Sequence, residues 1–161
     1  MRITTRPATD TDRPTLESFM ADLQEFERAL HPESRRPGAE IAADHLAYLL
    51  GEVGSHDGCC LIAEAEGQPV GFLIGYVEVD TGHYLTGGYE TPAHVSDLYV
   101  VEEMRGHGVI DALLAAAEAH FRSVGARQMT LSYLVGNDGA ERAYEKRGFQ
   151  PYMRVAIKPL R

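Results

Sequence analysis

The hydrophobic pattern of this chain changes period partway along its length, and that change limits the possible folds more than any other feature. Leu16, Phe19, Met20, Leu23, Phe26 and Leu30 recur at spacings of three and four, which puts one apolar stripe on a helix that Asp10 or Thr11 can cap. The polar stretch from His31-Pro32 to Pro37-Gly38 interrupts it. A second helix is expected from about Ala39 to Glu52, carrying Ile41, Leu46, Leu49 and Leu50. Beyond it the period falls to two. Cys59 to Ala65 is a compact apolar run, Glu66-Gly67-Gln68 supplies a turn, and Val70, Phe72, Ile74 and Tyr76 alternate. A chain that switches from helical to strand periodicity in this way must pack helices on a sheet.

The remaining elements follow from the same reading. Ile3 to Thr5 forms a short first strand, ended by Pro7. Thr81 to Pro92, rich in Gly, Thr and Tyr and without periodicity, is a loop longer than the usual connection of about 4–6 residues. His94 to Val100 reads as a strand. Val109, Leu113, Ala116, Ala117, His120, Phe121 and Val124 recur at helical spacing, with Gly125 at the C-cap. Met129 to Val135 reads as a strand, Asn137 to Arg147 as a short helix stopped by Gly148, and Tyr152 to Ile157 as a last strand. The expected order is β-α-α-β-β-β-α-β-α-β, one mixed α/β domain over residues 1–161.

Composition removes several function classes. The chain carries 24 acidic and 15 basic residues, a formal net charge of -9, whereas a protein that tracks nucleic-acid phosphates needs a basic face. An acidic chain suits a cationic substrate or a basic protein target. No run approaches the roughly 20 apolar residues of a membrane span, and the N-terminal charges are not followed by an apolar signal segment. A soluble cytoplasmic protein is expected. Cys59 and Cys60 are adjacent, so in a strand they point to opposite faces and cannot bridge. No two of the seven histidines and two cysteines lie at metal-ligand spacing, and no structural metal is expected.

The densest chemical signal is Arg105-Gly106-His107-Gly108-Val109-Ile110, between the strand ending at Val100 and the helix after Gly108. The first amides of a helix lack internal partners and sit at the positive end of its dipole. Glycines remove side chains that would hold an anion away from those N–H groups, and Arg105 can add charge. Neither Gly-x-x-x-x-Gly-Lys-Ser/Thr nor the third glycine of a dinucleotide fingerprint is present. Alone, the segment implies an anion at a helix start.

The run Val95-Ser96-Asp97-Leu98-Tyr99-Val100 followed by Arg105-Gly106-His107-Gly108-Val109 resembles the cofactor motif of the GNAT superfamily of N-acetyltransferases. About thirty residues later, Asn137-Asp138-Gly139-Ala140-Glu141-Arg142-Ala143-Tyr144-Glu145-Lys146-Arg147-Gly148-Phe149 resembles that family's second motif, Asn-x-x-Ala-x-x-x-Tyr-x-x-x-Gly-Phe. The resemblance covers Ala93 to Pro151 in detail. It implies a central twisted mixed sheet of about six to seven strands flanked by four helices, with splayed central strands. It also implies transfer of an acetyl group from acetyl-CoA to a primary amine by direct attack, or, as the alternative, a non-catalytic acyl-CoA-binding module. Dimerisation through the last strand or the loop is common among such folds. Ile110 departs from the pattern, which has a small residue there, and a branched side chain bears on cofactor affinity or helix packing.

Carried over residue by residue, the resemblance implies that Leu98, Tyr99 and Val100 line the pantetheine arm. Arg105, Gly106, His107, Gly108, Val109 and Ile110 would seat the pyrophosphate, and a Val100 N–H could polarise the thioester carbonyl. Asn137 caps its helix, touches the cofactor, or both. Tyr144 either donates a proton to the departing sulfur or packs its ring with a wet hydroxyl. Candidate bases on the central strand are His94, Ser96 and Asp97. By strict alternation His94 and Ser96 share a face with Leu98 and Val100, and Asp97 points the other way with Tyr99; His94 has the more suitable intrinsic pKa. The first two helices and the long loop would bind the acceptor, through Phe26, Glu27 and Tyr84, with Glu25, His31, His83, Tyr89 and Glu90 nearby. Acidic and aromatic groups together suit a small cationic amine.

Overall fold

A computed structural model describes residues 1–79 and 81–160. Five strands form one sheet in the order β1 (Ile3–Pro7), β2 (Cys59–Ala65), β3 (Gln68–Val77), β4 (Ala93–Val100) and β5 (Met129–Leu131). The first four are antiparallel to their neighbours, and β5 runs parallel to β4. Helices α1 (Arg13–Leu30) and α2 (Gly38–Ser55) cover one face, and α3 (Val109–Ser123) covers the other. α4 (Asp138–Glu145) follows β5.

Central strands covered on both faces should be apolar throughout rather than alternating. Phe72, Leu73 and Ile74 of β3 are accordingly buried in succession. Phe72 and Ile74 face Leu16, Phe19, Met20, Leu46 and Leu49 of α1 and α2. Leu73, with Leu61 and Ala63 of β2, meets Leu113, Leu114, Ala117 and Phe121 of α3. Each large aliphatic or aromatic side chain buried in this way contributes about 1.5–3 kcal/mol, so the sheet is held from both sides by stripes legible in the sequence.

Three expectations need correction. The first concerns β4. Ile74 pairs with Asp97 and Gly75 with Val95, so Ser96 has no opposite number on β3. This one-residue bulge resets the alternation. Val95, Leu98 and Val100 all face α3, while Tyr99 joins the α1/α2 side. His94 also departs from the predicted face. Its ring meets Tyr76, on the α1/α2 side, edge-on at 6.2 Å.

The second concerns β5, which stops at Leu131 and not at Val135. Its ladder with β4 covers only Ala93 to Val95 against Met129 to Leu131. β4 continues to Val100 while residues 132–135 leave to reach α4, where the Asn137 amide donates to the Leu134 carbonyl at 3.0 Å. The apolar pattern persists to Val135, but no neighbouring strand is present to extend the ladder. The two central strands therefore part beyond Val95, as the family resemblance implies.

The third is the last strand. Residues 151–160 form no ladder, and Tyr152, Met153, Val155, Ile157 and Leu160 are exposed. Alternation makes a segment fit for a strand, but a strand exists only where an edge pairs with it. The sheet thus has five strands among the described residues rather than six or seven, with the outer edge of β5 open.

Candidate active site

The loop from β4 to α3 is built as its sequence suggested. Glu102–Met104 make a single 3-10 turn. Gly106 and Gly108 then adopt φ of 80° and 84°, the left-handed region that glycine enters without the steric cost borne by other residues. Nothing lies within 4 Å of a Cβ placed on Gly106, so its backbone borders open space. Gly108 caps α3, and the amides of the first α3 turn have no helical acceptor. Among the described residues the amides of Gly106 and Gly108 donate to no backbone carbonyl. A glycine cradle in front of a 15-residue helix fits a pyrophosphate.

The side chains around this loop are fixed from several directions. Val109 is fully buried, and Ile110 packs against the same α3-side core. The branched side chain of Ile110 is therefore directed into packing rather than across the cradle. Arg105 donates from Nε to the Val100 carbonyl at 3.2 Å, and its guanidinium lies 5.5 Å from the centroid of the Phe26 ring. His107 is exposed and its Nδ1 lies 3.1 Å from the Arg105 carbonyl. Asp111 in the first α3 turn pairs with Arg147 just past α4, which ties the two helices together.

A cleft opens where β4 and β5 part. It is lined by Leu23 and Glu27 of α1, Ser96, Asp97 and Leu98 of β4, Leu131 to Tyr133, Asn137 and Tyr144. Its inner cavity is about 40 Å³, room for a single water or the head of an amine. Asn137 Oδ1 accepts from the Ala140 amide at 3.2 Å and so caps α4. The cap aims Tyr144, two turns on, at the cleft. Tyr144 is only 8% exposed, with its ring 5.8 Å from Tyr133 and 5.9 Å from Phe149. Burial pushes its phenol up to about 12, so near neutral pH it is a proton donor.

The acidic wall of the cleft has its own supports. Glu27 pairs with Arg35, and burial raises its carboxyl above the usual carboxylate range. The Asp97 carboxylate accepts from Ser96 Oγ at 2.7 Å and lies 3.5 Å from His45 Nε2. The hydrogen bond to Asp97 raises the imidazole pKa of His45 despite partial burial. A phenol proton donor thus shares one cavity with two carboxylates, the set needed to shed a proton from an amine and supply one to a leaving group.

The structure therefore gathers Leu98, Asn137, Tyr144 and Glu27, together with Ser96 and Asp97, around one cleft. Val100 is buried, and Tyr99 packs on Phe19 at 5.5 Å on the opposite face from Leu98 and Val100. Phe26 faces Arg105. Tyr84 is 74% exposed on the loop before β4. His94 is not among the cleft residues, and its Nδ1 lies 3.0 Å from Thr130 Oγ1. Glu25 accepts from the Gly38 amide at the start of α2, a structural use. His45, Arg35, Ser132 and Tyr133 had no motif to announce them; Tyr133 alone, inside a strand pattern aimed at the second motif, offered a clue.

Comparison with known proteins agrees with this geometry. Residues 17–149 match the model of the acetyltransferase (GNAT) family. The chain is 31% identical over 126 residues to an aminoglycoside N(6')-acetyltransferase type 1 of Stenotrophomonas maltophilia, covering 73% of this chain and 80% of the relative. It is 28% identical over 145 residues to YhfO of Bacillus subtilis, an uncharacterised N-acetyltransferase, covering 90% and 88%. Among solved structures, an aminoglycoside N-acetyltransferase, AAC(6')-Iy in complex with CoA, superposes with a TM-score of 0.73 at 19% identity, covering 99% of this chain and 95% of that one. A GCN5-related N-acetyltransferase from Ralstonia eutropha superposes with a TM-score of 0.75 at 20% identity, over 99% of each chain. With the glycine cradle, the parted strands and the capped tyrosine helix all in place, the chain belongs to the GNAT family of acetyltransferases.

Proposed function

We propose that this chain transfers an acetyl group from acetyl-CoA to the primary amine of a small cationic acceptor, by direct attack with both substrates bound. The observation that carries the reading is Tyr144, a buried proton donor in the same cleft as Glu27 and Asp97 where the central strands part. Acetyl-CoA supplies an activated thioester carbonyl with a thiolate leaving group. Gly106, Gly108 and Val109 would seat the pyrophosphate on backbone amides, with Arg105, His107, Ile110 and Asn137 around it. Leu98, Tyr99 and Val100 would border the arm, and Tyr144 would protonate the departing sulfur.

Support for a cationic acceptor comes from three sides. Two carboxylates line the cleft, the chain is acidic overall, and one relative is named for aminoglycosides, which are polycationic amino sugars. Glu27 would attract the ammonium group, with Phe26 and Tyr84 bordering its approach. Among the described residues no helix is long and apolar enough to cross a membrane, and a cytoplasmic setting, where acetyl-CoA is available, suits the reading. The exposed apolar side chains of residues 152–160 support pairing of two copies into a homodimer.

Release of CoA thiol, measured with acetyl-CoA and a panel of cationic, neutral and anionic amines, tests the proposal. Saturable release with cationic acceptors is expected. Acetyl-CoA binding by calorimetry without release from any amine would mark the chain as a binding module instead.

A further inference from the structure

We infer that Asp97 takes the proton from the attacking ammonium and that His45 passes it to solvent. The inference rests on the acetyl-transfer reading above. An amine of ordinary pKa, about 10.4 for lysine, reaches a neutral enzyme protonated and cannot attack until that proton leaves. Some group in the cleft must take it, on the side away from Tyr144.

Asp97 meets that requirement by position. It borders the same cavity as Tyr144 but comes from β4, whereas Tyr144 comes from α4. The bulge at Ser96 sets the frame in which Asp97 meets His45 of α2 while the next residue, Leu98, faces α3. Ser96 Oγ donates to Asp97 Oδ2 at 2.7 Å, which holds the carboxylate while leaving Oδ1 without a protein donor among the described residues. His45 Nε2 stands 3.5 Å from Oδ2, and the His45 side chain is 39% exposed against 12% for Asp97. An inner carboxylate backed by an outer imidazole makes a two-step path from cleft to water.

The other ionisable groups nearby do not compete. Glu27 of α1 is engaged by Arg35. Tyr76 of β3, Tyr133 and Tyr144 are phenols whose pKa values all lie above the ordinary range. Tyr48 stacks beside His45 at 6.4 Å, on its solvent side of α2. His94 is directed to Thr130 and Tyr76. The hydrogen bond to Asp97 raises the pKa of His45, which favours its receipt of a proton from that carboxylate.

The protons balance. The ammonium gives one proton through Asp97 to neutral His45, and thence to water. The freed lone pair forms the C–N bond as the C–S bond of the thioester breaks. The second proton shed by the acylated nitrogen matches the one that Tyr144 gives to sulfur and regains. The sum is one amide, one thiol and one proton released.

Two acceptors of similar shape separate proton removal from all other roles: an alkylamine, protonated at pH 7, and an alkoxyamine, neutral at pH 7. In the full chain, Asp97→Asn should lower kcat at saturating alkylamine about 100-fold and kcat at saturating alkoxyamine less than about threefold, with acetyl-CoA affinity by calorimetry unchanged. A loss confined to a raised KM for the alkylamine marks charge attraction alone and overturns the assignment. His45→Gln keeps a donor toward Asp97 but cannot titrate. It should lose about tenfold on the alkylamine alone and abolish the imidazole limb of the pH–rate profile. Equal losses on both acceptors, or none on either, overturn the assignment. Should Asp97→Asn fail to fold, His45→Gln at its half-exposed position decides by the same two outcomes. A wild-type protein that binds acetyl-CoA and acylates neither acceptor defeats the acetyl-transfer reading itself, and this inference with it.

Discussion

Replacing Tyr144 by Phe removes one oxygen from the cleft and leaves the ring in place. Among the described residues the Tyr144 hydroxyl has no hydrogen-bond partner in the protein, and it is not sealed from solvent, so it reaches the cavity. The ring contacts with Tyr133 and Phe149 survive the change. Loss of an internal hydrogen bond costs about 1 kcal/mol, but none is lost here, so the melting temperature should move by no more than about 2 °C. Activity should respond very differently. General-acid assistance to a leaving group is worth about 10²–10⁴-fold, or roughly 2.7–5.4 kcal/mol of transition-state stabilisation. Because burial holds the phenol near 12, the acid form persists throughout pH 6–10. The ratio of wild-type to variant kcat should therefore be large and flat over that range. Thiol release at saturating acetyl-CoA, with melting curves on the same preparations, measures both quantities. An unchanged kcat, or a ratio that climbs through pH 7–9, would refute the reasoning.

Other expectations follow from the same geometry. Asp12 is buried and accepts from Arg6 at 2.7 and 2.8 Å and from the Thr9 amide at 2.8 Å. These contacts, the Arg6 hydrogen bond foremost, hold its carboxyl well below the usual range. Its contribution is complete above its unfolded pKa of about 4 and is lost as pH falls further toward the folded value. Asp12→Asn should thus cost about 2 kcal/mol by urea denaturation at pH 7, and progressively less below pH 4. Gly106→Val places a branched residue at a positive φ without touching the core. It should weaken acetyl-CoA binding in calorimetry at least about tenfold while costing only about 1–2 kcal/mol of stability. Glu27→Gln should raise KM for cationic acceptors about tenfold, the equivalent of 1.4 kcal/mol, and leave neutral amines unaffected in the thiol assay. Removing residues 152–161 should turn a dimer into a monomer by light scattering; an unchanged mass would exclude that segment as the contact.

What could be read in the sequence was local, and what could not was set by tertiary neighbours. The glycine cradle was legible because Gly106 and Gly108 sit between a strand and a helix, where a positive φ is a local property of glycine. The two stripes of α1 and α2 were legible for the same reason. The end of β5 was hidden, because residues 132–135 keep a strand composition and only the loss of β4 as a neighbour ends the ladder. Tyr152 to Ile157 misled in the same way, a pattern with no edge to complete it. His45 was invisible as a site residue, since nothing local to α2 records that Asp97 lies across from it. The bulge did leave a trace in Gly75, opposite the shift, since glycine inside a strand often marks an irregularity.

Ser96 behaves like an inserted letter in a text read two at a time. Everything after it on β4 is shifted by one, and only in that shifted frame do Leu98 and Val100 meet α3 while Asp97 meets His45. The bulge absorbs this extra residue, so the identity of residue 96 matters little to the frame. Exchange for Ala leaves the frame intact, and deletion would leave Val95 and Asp97 consecutive opposite Gly75 and Ile74, a regular ladder with Leu98 and Val100 still toward α3 and Tyr99 still toward α1 and α2. The bulge is thus a point on β4 where the chain can lose a residue without turning every side chain beyond it to the other face of the sheet.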